Sequence, residues 1–228
     1  MGEYNKDYQK SWIKKEPWPK KKTRAEKVFT RLSKAYPGAR IALKYGNSMQ
    51  LLVAVILSAQ ATDKKINEIT ALLFKKYKTV DDFANADTRT LEREIRQAGF
   101  YRQKTKSIIE SAKIIRDKFG GRVPRAMEEM LKLRGVARKT ANVVLGNAYG
   151  VVEGIAVDTH VRRRSQRLGL STEDDPVKIE KDLMKLFPKE KWFKLTYLLI
   201  DHGRAVCTAR SRKCQACPLK DICPSSLA

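Results

Sequence analysis

LKLRGVARKTANVVLGNAYGVVEGIAVDTH, Leu131 to His160, decides how the rest of this chain is read. Arg134-Gly135-Val136-Ala137 reads as a tight turn between two helical stretches, Ala126 to Leu133 and Arg138 to Tyr149. Gly135 lets the backbone take φ > 0 and approach a ligand closely, and the N–H groups that open the next helix attract an anion. With Arg134, Arg138 and Lys139 adjacent, the hairpin is expected to hold a phosphate backbone without reading its sequence. An ordinary αα-corner with solvated basic residues has the same local pattern. Nineteen residues after Lys139 comes Asp158, an acid behind an apolar run. A helix from Lys139 to Tyr149 rises about 15 Å, and the seven residues from Val151 to Val157 span up to about 23 Å. The return is therefore long enough to bring Asp158 beside Lys139.

Around this stretch the chain is strongly basic: 48 Lys and Arg against 25 Asp and Glu give a net charge of +23 on 228 residues. A lysine-rich solvated surface would explain 32% charged residues but not the imbalance of sign. The surplus points to a polyanionic partner, with nucleic acid the leading candidate. No apolar run approaches the ~20 residues a bilayer demands, and the basic N-terminus has no apolar signal core behind it. Lys6 stands where myristoylation needs Ser or Thr. An intracellular monomer, in the cytoplasm or nucleoid and with no membrane partner, is expected.

Helical periodicity recurs along the chain. Met1 to Lys22 reads as a polar, basic segment with a flexible tip, and Thr23 to Glu26 as a capping box for a first helix carrying Val28, Phe29, Leu32 and Ala35. Ser48 can cap a second helix whose run LLVAVILSA, Leu51 to Ala59, is apolar nearly all round and so central to a core. Thr62-Asp63 starts a third, and short helices are expected near Val80 to Asn85 and Thr88 to Gln97. Arg102 to Phe119 carries Ile108, Ala112 and Ile115 on one stripe. Beyond Asp158, helices are expected over Val161 to Leu168, Pro176 to Phe187 and Trp192 to Val206. No convincing strand alternation is present, so the fold class is all-α.

All four cysteines, Cys207, Cys214, Cys217 and Cys223, lie in the last 22 residues at 6-2-5 spacing. With no cysteine elsewhere, a disulfide framework is disfavoured. Four thiolates so close need a cation, which makes a metal centre the economical reading. Zinc normally takes two close pairs, and only Cys214 and Cys217 form one. The wider gaps favour a cuboidal iron-sulfur cluster, with zinc left open. The first gap holds Arg210, Arg212 and Lys213, a basic loop that the metal could press against phosphates or that is merely solvated.

LRGVARKTANVVL, then IAVDTHV, then four cysteines at 6-2-5 spacing, together with LLVAVILSAQATD near the front, resemble the endonuclease III branch of the helix-hairpin-helix DNA glycosylases. The resemblance spans Arg24 to Pro224 and implies an all-α fold with a six-helix barrel and an iron-sulfur domain flanking a DNA-binding cleft. On that reading residues 42–152 form the barrel, residues 153–228 carry a 4Fe-4S cluster, and residues 1–41 pack with the latter. It also implies a DNA N-glycosylase and DNA-(apurinic or apyrimidinic site) lyase. Such an enzyme removes oxidised pyrimidines from double-stranded DNA and cuts the strand at the abasic site.

Carried over residue by residue, Lys139 matches the nucleophile and Asp158 the acid that stabilises the developing sugar cation or assists deprotonation of the amine. His160 is read as a structural hydrogen-bonder. Gln60 would insert opposite the everted base, and Phe100 would be the wedge, although core packing is the plain alternative for Phe100 and solvation for Gln60. Without the resemblance, Lys139 would read as a phosphate contact and Asp158 as a helix N-cap. The hairpin departs from the usual LPGVG at Arg134 and Ala137. A non-glycine at φ > 0 costs about 1–2 kcal/mol, so Ala137 is expected to reshape the turn slightly. A monofunctional mismatch glycosylase and a non-catalytic damage-sensing DNA binder are the alternatives.

Overall fold

The computed structural model describes residues 9–228. The flexible tip expected of the N-terminal segment falls on residues 1–8 and lies outside the described residues. In chain order the α-helices are α1 (Trp18–Ala35), α2 (Ser48–Leu57), α3 (Asp63–Lys76), α4 (Val80–Ala84), α5 (Thr88–Glu94), α6 (Tyr101–Phe119), α7 (Met127–Met130), α8 (Arg138–Tyr149), α9 (Thr159–Arg167), α10 (Pro176–Leu186) and α11 (Lys189–Ala205). Single 3-10 turns lie at Ser11–Lys15, Arg96–Ala98 and Cys214–Ala216. Among the described residues there is no strand, only one isolated bridge between Cys207 and Arg212. No described helix is long and apolar enough to cross a membrane.

The chain divides into two compact units. One is Ile41–Glu153, and the other joins the residues up to Arg40 with Gly154–Ala228.

In the first unit α2 is the organising element. Asn47 caps it, accepting from the Gln50 amide at 2.9 Å, one residue before the expected Ser48. Every residue from Met49 to Leu57 is buried, as an all-round apolar helix requires. Helix α8 packs on α2, and α6 lies against α2, α4 and α5, burying Ile108, Ala112 and Ile115 as their spacing predicts. The helix expected over Ala126 to Leu133 shrinks to the single turn α7, followed by a turn in which Leu133 and Val136 are buried.

The second unit has its own core of α1, α9, α10 and α11 side chains, among them Leu32, Val161, Leu183 and Leu198. The N-terminal segment is tied into it. The Lys10 amide donates to the Pro224 carbonyl at 2.9 Å. Buried Arg24 pairs with Glu16 at 2.7 Å and donates to the Leu168 carbonyl at 2.6 Å. Helix α1 begins at Trp18, five residues before the expected capping box. Pro19 sits in its first turn, where the missing N–H costs nothing, and Thr23 Oγ1 donates back to the Pro19 carbonyl instead of capping.

Candidate active site and metal-ligand cluster

The hairpin is built around one glycine. Gly135 has φ +73°, and a Cβ there would lie 2.6 Å from Ser107 Oγ and 2.9 Å from Ser107 Cβ on α6. Both the dihedral and the close approach therefore demand glycine. Ser111 Oγ, one turn along α6, donates to the Arg134 carbonyl at 3.0 Å and pins the turn from the other side. Ala137 corrects the sequence expectation: it is the N-cap of α8 in extended geometry, φ −90° and ψ 170°, so it carries no left-handed strain. No side chain caps α8 and its first turn has no acid, which leaves its leading amides available to an anion.

The basic residues of the hairpin divide. Lys139 is exposed in the first turn of α8. Arg138 reaches back to the Glu153 carbonyl at 3.4 Å. Arg134, expected to seek phosphate, pairs with Glu110 of α6 at 2.9 Å across a half-exposed contact. A partner phosphate would have to compete with that carboxylate.

Gln60 and Phe100 are the only non-glycine residues at positive φ among those described, at +59° and +47°. Left-handed backbone in bulky residues stores strain and persists only where the surroundings enforce it. Phe100 is 68% exposed, which rules out the core-packing alternative. Gln60 is exposed as well. Beneath both lies Lys104, buried in the first turns of α6, with Nζ donating to the carbonyls of Leu57, Ala59 and Ala98 at 2.9, 2.7 and 2.8 Å. Burial lowers its pKa from the ordinary lysine value, while the three carbonyl dipoles accept all three ammonium protons. The sequence reading passed over this residue. The available signal was its spacing: Lys104, Ile108, Ala112 and Ile115 form one inward stripe, and a lysine there is rare without partners.

In the other unit, Asp158 is the N-cap of α9, with Oδ1 accepting from the Val161 amide at 2.8 Å and Oδ2 outside that bond. The cap reading of Asp158 thus holds geometrically. Its half-buried carboxylate is set by the buried segment Ile155 to Val157. Glu180 of α10 accepts from the Ile155 amide at 3.1 Å, and Thr196 of α11 donates to the Ala156 carbonyl at 3.4 Å. His160, expected to make a structural hydrogen bond, has its Nδ1 buried with no partner among the described residues, and burial lowers its pKa.

Cys207, Cys214, Cys217 and Cys223 line one cavity with Arg164, Arg167 and His202. All four are free thiols. Burial pushes Cys223 up to about 12 and raises Cys217, so each needs a cation to stay ionised at neutral pH. Arg167 donates to Cys207 Sγ at 3.3 Å and the Leu219 amide to Cys217 Sγ at 3.4 Å, partners suited to thiolate sulfur. His202 lies 3.7 Å from Cys217 Sγ, its Nδ1 3.2 Å from the Tyr36 hydroxyl, and burial lowers its pKa to about 4. Among the described residues no three Cys, His, Asp or Glu side chains gather tightly enough to hold a single ion. In the basic loop, Arg210 and Lys213 are exposed, whereas Arg212 turns inward to the Ser225 carbonyl at 3.0 Å. Arg164, also unforeseen, is buried beside the cysteines and donates to the carbonyls of Gly203 and Cys207.

Residues 53–189 match the family described as HhH-GPD superfamily base excision DNA repair protein. The chain is 49% identical over 208 residues to the endonuclease III of Synechocystis sp., covering 91% of this chain and 95% of that one. To the endonuclease III of Bacillus subtilis it is 44% identical over 199 residues, 87% and 90% of the two chains. Among solved structures, a non-covalent endonuclease III–DNA complex and a trapped endonuclease III–DNA covalent intermediate in an estranged-adenine complex each superpose with a TM-score of 0.86. Each does so at 42% identity, over 90% of this chain and 96% of theirs. An uncapped helix-hairpin-helix, an exposed lysine behind it and four gathered cysteines thus stand in a chain that belongs to the HhH-GPD superfamily of base excision DNA repair proteins and, within it, to the endonuclease III family.

Proposed function

We propose that this chain is a bifunctional DNA glycosylase and AP lyase of base excision repair, acting on oxidised pyrimidines and abasic sites in double-stranded DNA. The observation that carries the reading is Lys139, exposed in the first turn of the helix behind the hairpin, in a chain 42% identical to a protein trapped as a covalent DNA intermediate.

In this mechanism the hairpin amides and Arg138 hold the backbone, and the Lys139 nitrogen attacks the sugar C1′ through its lone pair. The C1′–N bond to the base breaks as the C1′–Nζ bond forms, and the expelled base leaves with the bonding pair. Asp158, through its oxygen outside the cap bond, steadies the positive sugar as the base departs. The C1′–O4′ bond then breaks as the Nζ lone pair forms C1′=Nζ, with the Nζ proton passing to O4′, so the opened sugar is held as a Schiff base to Lys139, whose electron-withdrawing C=N acidifies the C2′ proton. Loss of that proton expels the 3′-phosphate by β-elimination, and hydrolysis frees the lysine.

The cysteines support a 4Fe-4S cluster held by Cys207, Cys214, Cys217 and Cys223. Four thiols line one cavity, and their 6-2-5 spacing, with a single close pair and wide outer gaps, suits a cuboidal group better than a tetrahedral zinc ion. The cluster would fasten the loop of Arg210 and Lys213, and no chemical step passes through it.

Borohydride reduction with abasic-site duplex tests the reading: the wild type should be trapped covalently and Lys139→Ala should not. Undiminished trapping by Lys139→Ala would refute it.

A further inference from the structure

We propose that Lys104 is a positioning residue that fastens the loops of Gln60 and Phe100 into one paired wedge, the part that fills the duplex when a nucleotide is everted. The inference rests on the reading of the chain as a base-everting enzyme.

The geometry is specific to two backbone units. The Ala59 carbonyl, 2.7 Å from Lys104 Nζ, belongs to the peptide that ends at the Gln60 nitrogen, so holding it fixes the plane from which the +59° φ of Gln60 is measured. The Ala98 carbonyl, 2.8 Å away, belongs to the peptide before Gly99, itself at φ +70°. Lys104 also holds Phe100 from the far side, its backbone amide donating to the Phe100 carbonyl at 3.0 Å. One residue thus brackets Gly99-Phe100 and, through the same ammonium, the strained peptide at Gln60. The third bond, to the Leu57 carbonyl at 2.9 Å, closes the C-terminus of α2, where a cation is favoured.

A helix cap alone would need only the α2 carbonyls. The link to Ala98 joins two loops about forty residues apart in sequence, and each carries one of the two strained side chains. Both side chains face solvent, so packing of their own does not hold them. A stacking aromatic and an amide that can meet an orphaned base act together only if their spacing is fixed before DNA arrives.

The test uses the full-length protein with Lys104→Met, which removes the charge and all three bonds, and Lys104→Arg. The second keeps the charge, but its planar fork cannot converge on three carbonyls. Two duplexes carry an abasic site. In one it faces a base; in the other it faces a one-nucleotide gap, where no orphaned base needs support. Borohydride trapping on the base-facing duplex should slow by roughly tenfold or more in both variants, the scale of a lost charge-assisted hydrogen bond, and change little on the gapped duplex. With 2-aminopurine as the facing base, the fluorescence rise on wild-type binding should be lost in the variants. Equal slowing on both duplexes, no slowing on either, or an undiminished fluorescence rise would overturn the proposal. Failure of Lys104→Met to fold leaves the decision to Lys104→Arg, and failure of both to fold would reduce Lys104 to a support of the fold and overturn it. Absence of trapping by the wild type on both duplexes would instead sink the reading beneath it.

Discussion

Replacing Gly135 with alanine adds one methyl group at the point where the hairpin meets α6. Two costs follow. At φ +73° an L side chain is strained by about 1–2 kcal/mol. The new Cβ also lands 2.6 Å from Ser107 Oγ and 2.9 Å from Ser107 Cβ, closer than carbon atoms tolerate. Ser107 is only 4% exposed on the packed face of α6, so it cannot swing aside. Overpacking of this kind costs about 1–3 kcal/mol, for a total of about 2–5 kcal/mol. Urea unfolding measures the loss, and weakened binding to undamaged duplex should accompany it as the turn shifts. Ser107→Gly removes both clashing atoms, so in that background Gly135→Ala should cost only the dihedral strain, about 1–2 kcal/mol. A loss under about 0.5 kcal/mol, or one that Ser107→Gly does not reduce, would refute the steric account of the hairpin.

Asp158→Ser keeps an oxygen to cap α9 and removes the carboxylate. Stability should stay within about 1 kcal/mol, while borohydride trapping on abasic duplex falls steeply, separating cap from chemistry. Asp158→Asn is the companion, and equal trapping in all three proteins would argue for the cap alone. His202 has its pKa lowered to about 4 against 6.5 unfolded. Its neutral form is favoured in the folded state, so stability is intact above pH 6.5 and falls as the pH drops toward 4. The contribution lost is up to about 3 kcal/mol. His202→Gln should flatten that part of the urea stability–pH profile, and an unchanged slope would count against it. Arg24→Met strands the nearly buried Glu16 carboxylate and frees two carbonyl bonds, and should cost about 3–5 kcal/mol in urea. Cys223→Ala should abolish the broad visible absorption of iron–thiolate bonding, and its persistence would remove Cys223 from the ligand set.

The elements that the sequence predicted well are those whose burial pattern is unambiguous. Helix α2 could be read because an all-apolar run has one place to go, α6 because its stripe is regular, and α8 because Arg138 to Tyr149 starts at a turn and ends at a glycine. The errors lie at ends, where several residues compete to start a helix. Thr23 offered a capping box, but Pro19 and the docking of residues 10–16 on the C-terminal segment decided the start of α1, a long-range fact with no local signature. Pro188 likewise starts α11 three residues before Trp192. At the candidate site the cysteines and the hairpin were legible from spacing. The pairing of Arg134 with Glu110, the inward turn of Arg212 and the burial of Lys104 and Arg164 were not, because a cation's sequence position does not reveal whether carbonyls or water surround it.

The distribution of strain separates these two kinds of feature. Ala137, the departure from the usual hairpin that promised distortion, is relaxed, and the turn needs left-handed backbone only at Gly135. Gln60 and Phe100 carry no such mark in the sequence, yet they hold the left-handed backbone of two bulky side chains. A protein bears such strain of about 1–2 kcal/mol per residue only where the surroundings impose it, and here the imposing group is a buried lysine, itself costly to desolvate. Three local violations, two dihedrals and one charge, are thus coupled in a single hydrogen-bonded arrangement. Relief of any one releases the others, which is why the effects of Lys104, Gln60 and Phe100 substitutions on wedge insertion should be strongly non-additive.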